Sequence, residues 1–287
     1  MKYRFISDHQ ETFKVGRMCK TLNVSRSGYY AWRRRPDSSR TIENRALLDK
    51  IHIYHAASHG IYGAVKIHQD LVDEGISCGK NRVARLMRKA GIRSRTKKKF
   101  KATTNSRHNF PVAPNLLNQK FFVDAPDLAW VGDITYIRTE EGWLYLAVIL
   151  DLFNRKVVGW SASSRMTRQL TIDALQMALG RRNPGENLLH HTDQGSQYAS
   201  ADYQKILKEH GMICSMSRKG NCYDNAVAES FFGLLKTEWV NHYRYRNRSQ
   251  AIQSLFYYIE IFYNRKRRHS SISYSTPQDY MNLPLAA

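Results

Sequence analysis

The chain has 287 residues, 42% of them apolar, which is enough for one large domain and a smaller one. No apolar run approaches the roughly 20 residues of a membrane span; the longest, Trp143 to Leu150, is bounded by charge, and MKYRFISDHQ lacks the apolar core of a secretory signal. The expectation is a soluble cytoplasmic protein that neither spans a membrane nor is exported.

The formal charge of +21 is unevenly placed. Residues 1–110 hold 25 Lys and Arg against 8 Asp and Glu, a balance of +17, whereas residues 111–287 hold 20 against 16, a balance of +4. A basic half joined to a nearly neutral one implies an anion-binding module attached to a working domain. Nucleic acid is the natural polyanion, because each phosphate neutralised releases counterions. The plainer alternative is a solubilising basic surface. Cys19, Cys78, Cys214 and Cys222 form no C-x-x-C pair and are expected as reduced thiols; a zinc site would need distant residues to converge.

Residues 1–40 read as a short helix-turn-helix-like segment. Thr12 to Leu22 is the first helix, Asn23-Val24-Ser25 the break, and Ser25, a good cap, opens a second that runs to Arg35. Arg26, Arg33, Arg34 and Arg35 would meet phosphate or base edges, while Tyr29, Tyr30 and Trp32 are more simply core. Residues 41–93 form a second helical unit. Ile42 to Ala57 and Ala64 to Glu74 are amphipathic helices, and Lys80 to Ala90 presents Arg82, Arg85, Arg88 and Lys89 beside Val83, Leu86 and Met87. The expectation is DNA contact; a charged solvent face is the alternative, and base readers cannot be told from phosphate binders here. Residues 94–117 are a basic linker with Arg95, Lys97, Lys98, Lys99 and Lys101, no visible period and two prolines. It is expected to order along a DNA backbone.

Residues 118–287 make the working domain. Leu128 to Ile137 is a strand, Glu140-Glu141-Gly142 a hairpin turn, Trp143 to Leu152 a second strand and Lys156 to Ser163 a third. Thr167 to Leu179 is a helix ended by Asn183-Pro184-Gly185. Leu188 to His191 is a fourth strand, Tyr203 to His210 a helix and Ile213 to Met216 a fifth strand. Three strands on short turns pair antiparallel, and the helical crossover puts the fourth parallel to one of them. If that one is the first, Asp133 and Asp193 face each other across neighbouring strands.

From Asn221 the chain enters a helix capped by Asp224 or Asn225, with Ala228, Phe231, Phe232, Leu235 and Trp239 on its apolar face and Glu229 beside it. A lone Glu there would be an ordinary surface acid. Beside Asp133 in WVGDITYI and Asp193 in HHTDQGSQY it becomes the third of three carboxylates drawn from separate segments. Such a set can hold two Mg²⁺ ions, with Mn²⁺ expected to substitute, because magnesium takes few carboxylates and fills its shell with water and phosphate. Two such ions activate an attacking oxygen and stabilise the leaving oxygen of a phosphodiester. Lys236 lies seven residues after Glu229, almost in line with it and roughly 10 Å along the helix axis. Asp151 reads as a turn cap, His190 and His191 as packed strand histidines, and residues 249–264 with the basic cluster from Tyr263 to His269 as a closing element that contacts DNA.

Thirty-five residues separate Asp193 from Glu229. That spacing, the three acids and Lys236 resemble the catalytic signature of DDE transposases and retroviral-type integrases. HTDQGSQY, SRKGNCYDNAVAESFFGLLKTE and YNRKRRHSSISYSTPQDY resemble the transposase encoded by the second reading frame of a class of bacterial insertion sequences, and the likeness covers nearly the whole chain. The resemblance implies an α/β, ribonuclease H-like catalytic core, a five-stranded mixed sheet with helices, preceded by an all-α helix-turn-helix DNA-binding region. It implies Asp133, Asp193 and Glu229 as catalytic and metal-holding residues, with Asp133 bridging two ions, and Lys236 as a DNA contact near the scissile end. Water would cut at the element's end, and the freed 3′-hydroxyl would attack a second phosphodiester. The implied partners are double-stranded DNA (terminal repeats and target), further copies of the chain, and a first-reading-frame protein or a frameshift fusion carrying it; the implied place is the bacterial nucleoid. A nuclease of the same fold and a non-catalytic DNA-binding regulator remain as alternatives.

Overall fold

The computed structural model describes residues 1–95, 112–218 and 222–282. Lys97, Lys98 and Lys99, expected to meet DNA, lie outside the described residues. Among the described residues no helix is long and apolar enough to cross a membrane.

Three short helices come first: α1 (Lys2–Asp8), α2 (Val15–Thr21) and α3 (Arg26–Arg34). Helix α1 escapes a reading of the sequence, having no side-chain cap and a single buried residue, Ile6. The expected start of α2 at Thr12 moves to Val15, because residues 9–14 form turns. Ser25 caps α3 as expected, its hydroxyl accepting from the Gly28 N–H at 2.9 Å. Ile6, Met18, Cys19 and Tyr29 close this unit around a small core of its own.

Helices α4 (Ser39–Ala57), α5 (Ala64–Asp73) and α6 (Lys80–Lys89) follow. Ser38 caps α4 through the Thr41 N–H. Leu47, Ile51, Ile67, Leu71, Val83, Leu86 and Met87 point inward at helical spacing, and their cluster runs on into that of the sheet domain.

The sheet contains β1 (Ala129–Thr139), β2 (Gly142–Asp151), β3 (Val157–Ser163), β4 (Leu189–Thr192) and β5 (Ile213–Met216), in the order β3-β2-β1-β4-β5. The first three pair antiparallel; β4 runs parallel to β1 and to β5. The crossover from β3 to β4 is α7 (Arg168–Arg182), which ends where Asn183 turns left-handed at φ 44°. The next crossover is α8 (Ala201–Glu209). Alternation splits the side chains of β2: Leu144, Leu146, Val148 and Leu150 join one cluster, Ala147 and Ile149 the other. Helices α7 and α8 cover the second face.

The first face is covered by α9 (Ala226–Glu238), α10 (Arg248–Phe256) and a π-helical stretch, Tyr257–Tyr263. Phe231, Phe232 and Leu235 of α9 and Tyr258, Ile259, Phe262 and Tyr263 of the π-stretch are all buried there. The wider turn lets two adjacent pairs of large side chains face inward at once. A last short helix, α11 (Pro277–Tyr280), is capped by Thr276.

The basic cluster expected to meet DNA is partly committed elsewhere. Arg267 is buried and paired with Glu238 at the end of α9, and Arg268 binds Asp70 and Asp73 of α5. Both guanidiniums fasten protein to protein, because the π-stretch carries them inward against acids of α9 and α5; Arg265 and Lys266 stay exposed.

Candidate active site

β1 and β4 share a parallel register in which Val131 stands beside His191. Two residues further along come Asp133 on β1 and Asp193 in the loop just past β4, near enough for the charge of Asp193 to act on Asp133. On β1 the alternation that buries Val131, Thr135 and Ile137 turns Asp133 the same way, toward α9. Its Oδ1 accepts from the Ile134 N–H at 2.7 Å. Burial, then the negative charge of Asp193, pushes the Asp133 carboxyl well above the usual carboxylate range. The Ile134 N–H pulls it back, Glu229 pushes it up again and Lys236 pulls it down. One carboxylate thus registers all three of the other residues singled out in the sequence.

Asp193 sits just past β4, with its Oδ1 accepting from the Gly195 N–H at 2.9 Å. A Cβ at position 195 would come within 2.9 Å of that same oxygen, so glycine lets the loop close on the carboxylate without crowding it. The strand below is fastened by its side chains. His190 is fully buried and shares a hydrogen bond with the Tyr203 hydroxyl at 2.7 Å; His191 bridges the Ser215 and Ser217 hydroxyls at 2.8 and 3.2 Å. Burial lowers both imidazoles, to about 3 and about 4. They are neutral packing groups, as expected.

Glu229 is in the first turn of α9. The register that buries Ala228, Phe231, Phe232 and Leu235 leaves Glu229 exposed at the rim. Asn225, just ahead of the helix, donates to the Gly132 carbonyl at 3.3 Å and ties this end of α9 to β1 beside Asp133. Neither Asp224 nor Asn225 serves as the expected side-chain cap. The Asp224 carboxylate is buried on the guanidinium and N–H of Arg218 and on Gln119, and the Arg218 hydrogen bond holds it far below the usual range. Lys236 places its ammonium 4.8 Å from the centre of the Tyr136 ring. Burial lowers its pKa while Asp133 works in the opposite sense.

The donor set suits a hard divalent cation: oxygens only, with a carboxylate made basic by burial and by like charge at its side. Among the described residues no three His, Cys, Asp or Glu side chains stand close enough to surround one ion. Asp133 and Asp193 are neighbours, and Glu229 acts on Asp133 through its charge from the rim, because the packing of α9 turns it outward.

The basic residues fall into two groups. Arg33 and Arg34 on α3, and Arg85, Arg88 and Lys89 on α6, are exposed. Arg82 is held by Asn44 at 2.8 Å and Glu43 at 2.9 Å, so its guanidinium braces α6 against α4. Asp151 is fully buried. It accepts from the Phe153 and Asp127 N–H groups and pairs with Arg182 at 2.9 Å, capping the turn as expected; burial outweighs these donors and lifts it to about 6.

Models of the "Integrase core domain" match residues 123–222 and 210–277, and a model of an "HTH-like domain" matches residues 42–100. Over 288 aligned residues, covering 100% of both chains, the sequence is 45% identical to "Transposase InsF for insertion sequence IS3A" of Escherichia coli K12. This chain belongs to the IS3 family of insertion-sequence transposases. The transposase is also 48% identical over 260 residues, 91% of its length and 96% of the relative's, to a 31 kDa protein of insertion element IS600 from Shigella sonnei. Among solved structures it is similar to the simian T-cell lymphotropic virus intasome in complex with PP2A regulatory subunit B56 gamma, at 17% identity and a TM-score of 0.49 over 82% of this chain and 75% of that one. The sheet order and the matched domain models agree on an integrase-type core preceded by a helix-turn-helix-like unit, the arrangement expected from the sequence.

Signals that the sequence reading missed are mostly pairwise. Nothing in YNRKRRH distinguishes Arg267 and Arg268, which bind acids, from Arg265 and Lys266, which do not lie buried. The spacing of Glu43 and Arg82 likewise gives no hint that they meet.

Proposed function

We propose that the transposase binds the terminal repeats of its element through α4 to α6 and the basic linker, and that it cuts and joins DNA strands at Asp133, Asp193 and Glu229. The observation that carries this is the Asp133 carboxylate. Burial raises it most, Asp193 just past β4 and Glu229 on α9 raise it further, and Lys236 pulls it down. Like charges gathered in a cleft are the mark of a site that works on a cation or a polyanion. The full-length likeness to proteins named as transposases supports the reaction class.

Asp133 and Asp193 would hold the metal from the sheet, and Glu229 would join them from the first turn of α9. Two Mg²⁺ ions, or Mn²⁺ in their place, supply activation of the attacking oxygen and stabilisation of the leaving oxygen of a phosphodiester when bound. The chain's own contribution is placement. The paired strands fix two carboxylates, the Asn225 contact with Gly132 sets where α9 begins, and the Gly195 N–H orients Asp193. Lys236 binds a DNA phosphate beside Asp133, and Arg85, Arg88 and Lys89 bind the backbone of the repeat. Two element ends must be paired before joining, so the working unit holds more than one copy of the chain. A first-reading-frame segment, supplied separately or by frameshift fusion, completes end recognition. The reaction takes place on DNA at the bacterial nucleoid.

The test is incubation with Mg²⁺ and a labelled duplex ending in the element's own repeat, beside a Glu229→Gln variant. Cleaved and joined products from the wild type alone are expected. Nicking without joining would assign a hydrolytic nuclease, and binding without chemistry in either protein, with the first-reading-frame segment supplied, would leave a regulator.

A further inference from the structure

The ammonium of Lys236 has a second neighbour whose chemistry the cutting reaction does not use. Tyr136 lies three residues beyond Asp133, about 10 Å along β1 and by alternation on its other face, where the Lys236 ammonium stands 4.8 Å from its ring centre. It is 46% exposed and stands edge-on to Trp143, itself 47% exposed, with ring centres 5.0 Å apart. Two large aromatic rings that open to solvent beside an acidic site need a reason.

The topology leaves this corner uncovered. β4 pairs with β1 only over residues 129–131, so the far half of β1 has β2 alone as its neighbour. Helices α7 and α8 pack lower down, against Trp130, Ala147 and Ile149. Alternation puts Tyr136 and Arg138 on one face of β1, and the register sets Tyr145 and Trp143 opposite them. Arg138 is exposed. The corner therefore offers two exposed aromatic rings, with the Lys236 ammonium over the Tyr136 ring and the cation of Arg138 at the rim.

Aromatic faces rimmed by cations are the chemistry that holds a nucleobase with its phosphate: the base stacks, and the phosphate meets the charge. A base inside a duplex hides its faces, so the occupant must be unpaired. We propose that Tyr136 and Trp143 form a seat for an unpaired base at the DNA end being processed, with Lys236 between that seat and Asp133. This deepens the transposase reading and rests on it. The seat would hold the end open within reach of the carboxylates, and the lysine would serve both the stacked nucleotide and the scissile phosphate.

A cross-strand aromatic pair can also simply strengthen a hairpin. Tyr136→Leu/Trp143→Leu keeps apolar contact and removes the π-faces; Tyr136→Phe/Trp143→Phe keeps both. Binding is measured in Ca²⁺ by fluorescence polarisation, on duplexes whose repeat ends in two paired or two mispaired nucleotides. The wild type and the Phe pair should bind the mispaired end several-fold more tightly than the paired one. The Leu pair should melt like the wild type, lose that preference and bind the mispaired end about ten-fold more weakly. A 5-iodouracil at the mispaired position should crosslink to Tyr136 or Trp143 in the unaltered protein. Equal affinity of the wild type for both ends, a Leu pair that keeps the preference, or a crosslink found only elsewhere would overturn the seat. Cleavage in Mg²⁺ on the same DNA separates the two readings: cutting without end preference removes the seat alone, and end preference without cutting removes the chemistry and leaves the seat.

Discussion

Glu238→Gln should unfold the transposase far more easily than a single amide for a carboxylate suggests. Glu238 and Arg267 are nearly closed to solvent, their side chains 7% and 5% exposed. The guanidinium donates to both carboxylate oxygens, at 2.7 and 2.6 Å, and the Tyr258 hydroxyl adds a third bond at 3.0 Å. Burial opposes the charge on Arg267, yet the bonds and charge of Glu238 win and raise its pKa above the ordinary value. Lys66 lies near enough to feel both partners, and burial lowers it to about 8. Removing the acid leaves Arg267 a buried cation with no counter-charge and leaves Lys66 with Asp70 as its remaining acid. Breaking a buried pair this way costs about 3–5 kcal/mol, and because glutamine keeps an acceptor the lower end, about 3, is expected. At about 2–4 °C per kcal/mol for a chain somewhat under this size, the melting temperature should fall by about 6–12 °C. Urea unfolding followed by circular dichroism gives the free energy directly. A second signature checks the cause. Lys66 has a folded pKa below its unfolded value of 10.5, so its contribution to stability rises with pH from about 8 to 10.5; without Glu238 that rise should begin lower. Glu238→Leu with Arg267→Met should recover most of the loss, because no charge is then stranded. A Glu238→Gln protein within about 1 kcal/mol of wild type would refute the reasoning.

His190 makes the fold acid-sensitive. Its folded pKa of about 3 lies below the ordinary 6.5, so its stability contribution is complete above pH 6.5 and is lost as pH falls. About 1.4 kcal/mol goes per pH unit, so roughly 2 kcal/mol should be lost by pH 5; urea midpoints at pH 7.5 and 5.0 should differ less in His190→Gln. Gly159→Ala would place a Cβ 2.2 Å from the Ala174 carbonyl and 2.8 Å from the Ala178 nitrogen, both backbone atoms of α7. The helix must lift off β3, at a cost of about 2–3 kcal/mol measurable by thermal melting. Arg85→Ala and Arg88→Ala should each weaken end binding about equally on every sequence and reduce the slope of log affinity against log salt by about 1; an unchanged slope would remove that residue from the interface. Glu229→Gln should bind ends as the wild type does and make no cut product, since its side chain is exposed at the rim and glutamine keeps its shape while removing its charge.

What the sequence determined by itself is local or periodic. Alternation in WVGDITYI and GWLYLAVILD defined the hairpin and the side on which Asp133 faces, because a strand's period of two leaves only one register that buries Val131 and Ile137. The cap of α3, the stop at Asn183-Pro184-Gly185 and the apolar face of α9 were legible for the same reason: each depends on residues within a turn or two. Spacing and the local words around the three acids gave the family, and composition gave the basic half. Tertiary structure decided which charges are available. Arg82, Arg267 and Arg268 look like their exposed neighbours in the chain, but acids 39, 29 and 198 residues away hold them, as ion pairs that no periodicity encodes. It also decided the standing of Glu229. Helical spacing put it beside the apolar face, and only the packing of α9 on the sheet left it exposed at the rim with its charge still acting on Asp133. The uncovered corner at Tyr136 and Trp143 arises the same way, from a fourth strand too short to shield the far half of the first.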